Sequence, residues 1–227
     1  MTIQLLPSLK NTWAALLCAL ALLSVSPLSL HAQKTQIVAG QTEFSKAMAL
    51  FEEGEIPKGL PLLQKSAALG FSNAMFELGG LYDAGAGVEM DAGQARKWYA
   101  KAARKNHVLA MYNLGYMLAK GYGGAKDRAK ARHWYEMAGQ KGHAQSMYYL
   151  ADLYARGQGG DVDFTKARHW YKKAADNNHP RAMYELGKML ARGEGGPKDM
   201  PMARTMLQKA AKEGLGQAAR ALALLKN

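Results

Sequence analysis

Two apolar patterns alternate along most of the chain, and both carry the period of a helix. The first recurs four times without an insertion: AMFELGGLYDAG from Ala74, AMYNLGYMLAKG from Ala110, SMYYLADLYARG from Ser146 and AMYELGKMLARG from Ala182. At roughly 100° per residue, positions 74, 75, 76, 78, 79, 81, 82 and 83 cover an arc of about 220°. An arc that broad suits a helix packed against its own partner and against both neighbouring units. Positions 73, 77, 80 and 84 vary from unit to unit and gather within about 60° on the other side. The second pattern follows a Gly-rich loop and an Asp, and it too recurs at 36-residue steps: Ala95, Ala131, Ala167, Ala203; Trp98, Trp134, Trp170, then Met206. Each unit therefore reads as two helices.

Turn chemistry agrees with that division. Gly85, Gly121, Gly157 and Gly193 end the first helices, where a left-handed residue stops the chain. Asp91, Asp127, Asp163 and Asp199 begin the second helices, where a carboxylate accepts from first-turn N–H groups. Pro201 falls within such a first turn, where its missing N–H costs little. Gly79, Gly115 and Gly187 sit inside helices at a cost of about 1 kcal/mol each relative to Ala. Their recurrence implies close backbone approach, with the Trp98-Tyr99 type of pair filling space beside them. Met75, Met111, Met147 and Met183 lie on the packed arc and read as core filling.

The pattern A-x-x-x-L-G-x-x-(Y/L)-x-x-G-x-G-x-x-x-D-x-x-x-A-x-x-W-Y-x-x-A over residues 74–217 resembles the Sel-1-like repeat, a branch of the tetratricopeptide superfamily. It departs at Ala151 for the interior Gly, at Gly139 for Ala, and at Met206-Leu207 for Trp-Tyr. Units are expected at 74–109, 110–145, 146–181 and 182–217. Residues 44–73 read as a divergent tetratricopeptide-like unit in which Gly54 turns directly into the second helix. Residues 33–43 are expected as a loose leader and 218–227 as a C-terminal capping helix. Such units gain stability only from their neighbours. The resemblance implies an all-α, right-handed α-solenoid whose concave face is lined by the first helices.

On that expectation the variable stripe faces a groove. Its candidate partner-binding residues are Asn113, Tyr116, Lys120, Gln145, Tyr149, Asp152, Arg156, Arg181, Glu185, Lys188 and Arg192. Tyrosine supplies amphipathic contact area and Arg supplies forked donors for carboxylates. The resemblance implies an adaptor that binds a protein or peptide, here of acidic character, and acts as a monomer.

The N-terminus changes the setting. Lys10 is the only charged residue among the first 32; the apolar run Trp13–Val25 and a breaker-rich segment ending at Ala32 follow it. That order is a secretory signal, with cleavage expected after Ala32. Its 13-residue apolar core is short of the roughly 20 residues a spanning helix needs. Membrane attachment would then come only through an uncleaved signal. Cys18 lies within the apolar run, so the mature chain has no cysteine and no disulfide, which fits a periplasm or a secreted protein. The formal charge of +12 loses only Lys10 on cleavage. This surplus favours acidic partners or envelope polyanions, and the export signal disfavours nucleic acid.

Candidate chemistry adds little. Loops such as Gly121-Tyr122-Gly123-Gly124 lack the strand and the Lys-Ser/Thr of a phosphate loop. His107, His143 and His179 form one ladder and His133 and His169 another. Members of a ladder are one repeat apart, too far for a shared zinc ion held at about 2 Å. There is no Ser-x-x-Lys, no Gly-x-Ser-x-Gly and no His-Glu-x-x-His. Some cysteine-rich members of the resembled family are linked to β-lactam binding or hydrolysis, and this chain lacks their cysteines. The reading is a non-enzymatic scaffold with no cofactor; the alternatives are a polyanion or envelope-glycan binder and, behind it, a β-lactam-binding relative.

Overall fold

The computed structural model describes residues 27–225; the apolar run and Cys18 of the expected signal lie outside the described residues. Eleven helices and no strand occur among the described residues. They are α1 (Pro27–Glu52), α2 (Ile56–Ala68), α3 (Ser72–Ala84), α4 (Ala92–Arg104), α5 (Val108–Lys120), α6 (Arg128–Gln140), α7 (Ala144–Ala155), α8 (Phe164–Asp176), α9 (Pro180–Arg192), α10 (Met200–Lys212) and α11 (Gly216–Leu224). Each helix packs on the next in sequence, through to α11 on α10. Odd-numbered helices from α3 carry the first pattern and even-numbered helices the second. One core runs the length of the stack, built mainly from small Ala, the four-membered Met row and one or two Leu per first helix.

The caps follow from residue type. Asp91, Asp127, Asp163 and Asp199 each accept, at 2.9–3.0 Å, from the backbone N–H three residues on. The first helices use a device the sequence reading assigned no role. Ala110 N–H donates to His107 Nδ1 at 3.1 Å, Ser146 N–H to His143 Nδ1 at 3.3 Å and Ala182 N–H to His179 Nδ1 at 3.1 Å. An Nδ1 that accepts carries no proton, so the neutral ring is protonated at Nε2. The rings stack on the row below: His107 on Phe76 at 4.5 Å and His179 on Tyr148 at 4.8 Å.

These caps titrate. Burial holds the pKa of all three histidines below the ordinary 6.5, and Arg181 adds to the effect at His179. The unfolded chain therefore takes up protons first. Stability is full above pH 6.5 and falls as pH drops through the lower folded values. Urea titrations from pH 7.5 downward should show a loss of up to about 1 kcal/mol per cap. The triple change to Asn at 107, 143 and 179 keeps an acceptor that does not titrate, so it should flatten the profile; an unchanged slope would refute the cap account.

The helix-interior glycines do mark close approach, but the partner is narrower than expected. A Cβ at Gly79 would lie 2.7 Å from the Tyr99 ring, and at Gly115 2.8 Å from the Tyr135 ring. Tyrosine alone fills the space. Trp98 instead lies under Lys101 Nζ at 3.6 Å, and Trp170 faces Gly139. In the last unit Leu207 takes the tyrosine's place against Gly187.

Residues 33–43 correct the expectation of a loose leader, because all of them belong to α1. The reason is visible at Gly40. Its carbonyl accepts from the buried Ser66 Oγ at 2.6 Å, and a Cβ there would touch Phe71 at 3.0 Å. Glu43 adds an ion pair to Lys65 at 2.9 Å. The segment is short of apolar residues, yet one glycine lets it lie against the core.

Successive units are also fastened through their loops. Arg96, Arg132, Arg168 and Arg204 recur on the second helices, and each guanidinium donates to a backbone carbonyl of the following unit. Arg96 reaches Ala125 O at 3.1 Å, Arg132 reaches Leu153 O at 2.9 Å and Asp161 O at 3.2 Å, and Arg168 reaches Pro197 O at 3.0 Å. Arg204 reaches Leu225 O, at the end of α11, at 2.9 Å. Beside the first three clasps, a loop glycine sits against the start of the preceding unit's second helix, as Gly159 does against Arg128.

Candidate partner groove

The variable stripe lies on the outer side of the first helices, and all sixteen of its members are exposed or half-buried. Neighbouring first helices touch through it. Tyr149 on α7 is the hub: its ring centroid lies 6.4 Å from Tyr116 and 6.1 Å from Tyr112 on α5, and 5.6 Å from Tyr135 on α6. Tyr122 meets the edge of Tyr116 at 5.9 Å. Burial pushes the Tyr112 hydroxyl up to about 12, with Tyr149 adding to the shift. The Tyr112 hydroxyl therefore stays protonated behind an aromatic wall that offers hydroxyl groups.

The charged candidates fall into two sets. Arg156 Nε donates to Asp152 Oδ1 at 2.7 Å, Lys188 pairs with Glu185 at 2.7 Å, and Arg192 reaches Glu194 at 3.6 Å. Those cations are answered within the chain. Lys120 and Arg181 make no ion pair among the described residues; Lys120 Nζ stands 5.8 Å from the Tyr116 ring centre. Gln145 Oε1 lies 3.0 Å from His179 Nε2 and accepts its proton. Asn113 faces the Tyr99 hydroxyl, whose pKa burial raises.

Two clefts open along this face. One, of about 230 Å³, lies between α5 and α7 and is walled by Tyr116, Tyr135 and Tyr149, with Lys120, Lys126 and Arg128 around it. The other, of about 430 Å³, lies between α7, α9 and α11 and is walled by Tyr148 and Tyr184, with Arg181 and Arg220 beside it. The sequence reading missed Tyr148 and Tyr184, which it placed on the packed arc. Their hydroxyls were the available signal, since a phenol in a dry core needs a partner. Lys126, Arg128 and Arg220 were missed because they lie outside the first-helix stripe. Among the described residues no cluster of His, Cys, Asp and Glu could hold a metal ion, and no helix is long and apolar enough to cross a membrane.

Comparison with known proteins bears on the repeat and its fold. The Sel1 repeat family model matches residues 72–107, 108–143, 144–179 and 180–215. The chain belongs to the Sel1 repeat family. Each matched unit of this Sel1 repeat protein opens at the first residue of α3, α5, α7 or α9, two residues before the phase read from Ala74. Among solved structures, a Sel1 repeat protein of Oxalobacter formigenes is 30% identical, with a TM-score of 0.73 over 79% of this chain and 74% of that one. A protective antigen of uropathogenic Escherichia coli strains, with the same repeat fold, is 25% identical with a TM-score of 0.73. It covers 86% of this chain, which spans only 41% of the antigen. No curated protein matches the chain. Sel1 repeat proteins commonly act as scaffolds for protein–protein interaction.

Proposed function

We propose that this Sel1 repeat protein is an exported, periplasmic scaffold without catalytic activity, and that it holds a segment of a partner protein along the first-helix face. The observation that carries the reading is the tyrosine wall centred on Tyr149 and bordered by Lys120, with Arg181 beside Tyr148 in the neighbouring cleft, neither cation ion-paired among the described residues. Half-buried aromatics beside free cations are the composition of an interaction hot spot.

The test is capture of periplasmic protein by immobilised mature chain. The double change Tyr149→Ala with Arg181→Glu should reduce capture at least about tenfold while the helical circular dichroism is kept. Lys97→Glu, on an exposed position of α4, is the matched control. The pair Arg156→Glu with Arg192→Glu should do less than a stripe of free cations would suggest, since both guanidiniums are already paired. Equal capture by wild type and the Tyr149/Arg181 variant would remove the groove reading. The bait recovered from the periplasm should begin at Gln33.

A further inference from the structure

The two clefts differ in place but share a composition, and that sets the partner's chemistry. We infer that this face takes an extended acidic segment of a partner protein at two points, one anionic side chain seated in each cleft. The inference rests on the groove reading above. In the first cleft Lys120, Lys126 and Arg128, which make no ion pair among the described residues, surround the Tyr116–Tyr149 wall. In the second, Arg181 and Arg220, which make no ion pair among the described residues, stand beside Tyr148 and Tyr184. The carboxylates that face these clefts are already satisfied: Asp152 is held by Arg156 and Glu185 by Lys188, each at 2.7 Å. Neither quenches the free cations.

The clefts are bridged by the contiguous Tyr148 and Tyr149, whose rings meet at 5.5 Å. Neighbouring helices pack roughly 8–10 Å apart, which sets the clefts about 15 Å from one another across the stack. An extended chain rises about 3.3 Å per residue, so the two anionic side chains stand four to six residues apart. Between them the segment crosses the Tyr148–Tyr149 bridge and needs apolar or aromatic side chains there. Free cations next to aromatic faces favour carboxylate over a neutral group, and the fixed separation favours a defined spacing over charge density.

A peptide array tests this on the mature full chain. Each member is a twelve-residue peptide with two glutamates separated by one to eight positions around Leu and Phe, together with Gln-substituted copies; heparin is the anionic glycan probe. Binding should peak at a separation of four to six. Replacing either glutamate should weaken it about tenfold, the size of one charge-assisted contact. Lys120→Glu with Arg128→Glu should abolish the dependence on one glutamate, and Arg181→Glu with Arg220→Glu the dependence on the other. Binding that rises with total charge whatever the spacing overturns the inference. Binding of heparin but of no peptide overturns it as well. Neutral peptides that bind in a manner dependent on Tyr149 would sink the two-anion inference and leave the groove reading standing; binding indifferent to every groove variant would sink both.

Discussion

Gly159→Ala should lower the unfolding free energy by about 3–5 kcal/mol, whereas Gly142→Ala should lower it by about 1–2 kcal/mol. Both glycines hold positive φ, at 85° and 89°, so both variants bear the cost of placing an L side chain in that region. They differ in surroundings. A Cβ at Gly142 meets nothing within 4 Å, while at Gly159 it would lie 2.5 Å from the carbonyl carbon of Arg128 and 2.6 Å from its oxygen. Those are main-chain atoms at the first turn of α6, and they cannot rotate aside. Relief would need the loop to lift from the preceding unit, which would also strip Arg132 of its acceptors. Urea unfolding of the two variants under identical conditions measures the difference. Equal losses would mean that the loops do not bear on their neighbours.

Removing Arg132 has the second largest expected effect. Its guanidinium lies 4.5 Å from the Tyr154 ring centre and donates to the carbonyls of Leu153 and Asp161. Arg132→Ala leaves those acceptors short of a donor and the Tyr154 face bare, at about 2–4 kcal/mol. Arg132→Lys should recover less than half of that, because one ammonium cannot fork to two carbonyls while lying flat on a ring. The Nε of Arg132 is buried without a partner, so the clasp already carries one unsatisfied donor. Thermal unfolding of both variants decides the matter: a fully stable Lys variant would make the site a matter of charge alone.

The sequence disclosed the repeat because its punctuation is chemical. A loop glycine and an Asp cap recur at one spacing, and Asp91 and its equivalents cap as expected. The helical wheel also separated outward from inward positions at 73, 77, 80 and 84, where no member is buried. What it could not resolve was the edge of the arc. Tyr148 and Tyr184 look like core by recurrence, yet their ring faces are half-covered and they line a cleft. Nor does a one-helix wheel contain contacts that join different units. His107 caps its own helix and stacks on Phe76 of the previous one, and Arg96 reaches a carbonyl 29 residues on. The pairing of Arg156 with Asp152 was within reach, because the two lie four apart on one helix. Residues 33–43 escaped for a different reason: composition alone says nothing of Ser66, whose hydroxyl fixes Gly40.

The clasps of α4, α6 and α8 all point one way along the chain, from a second helix to the loop inside the next unit, and the acceptor recurs at Ala125, Asp161 and Pro197. Such an arrangement is indifferent to how many copies it contains. A whole unit duplicated between α8 and α9 would find its predecessor's guanidinium waiting and offer its own to the next, so the molecule could lengthen without redesigning either end. Arg204 departs from the pattern, because its guanidinium grips Leu225 at the end of α11 and not a loop carbonyl.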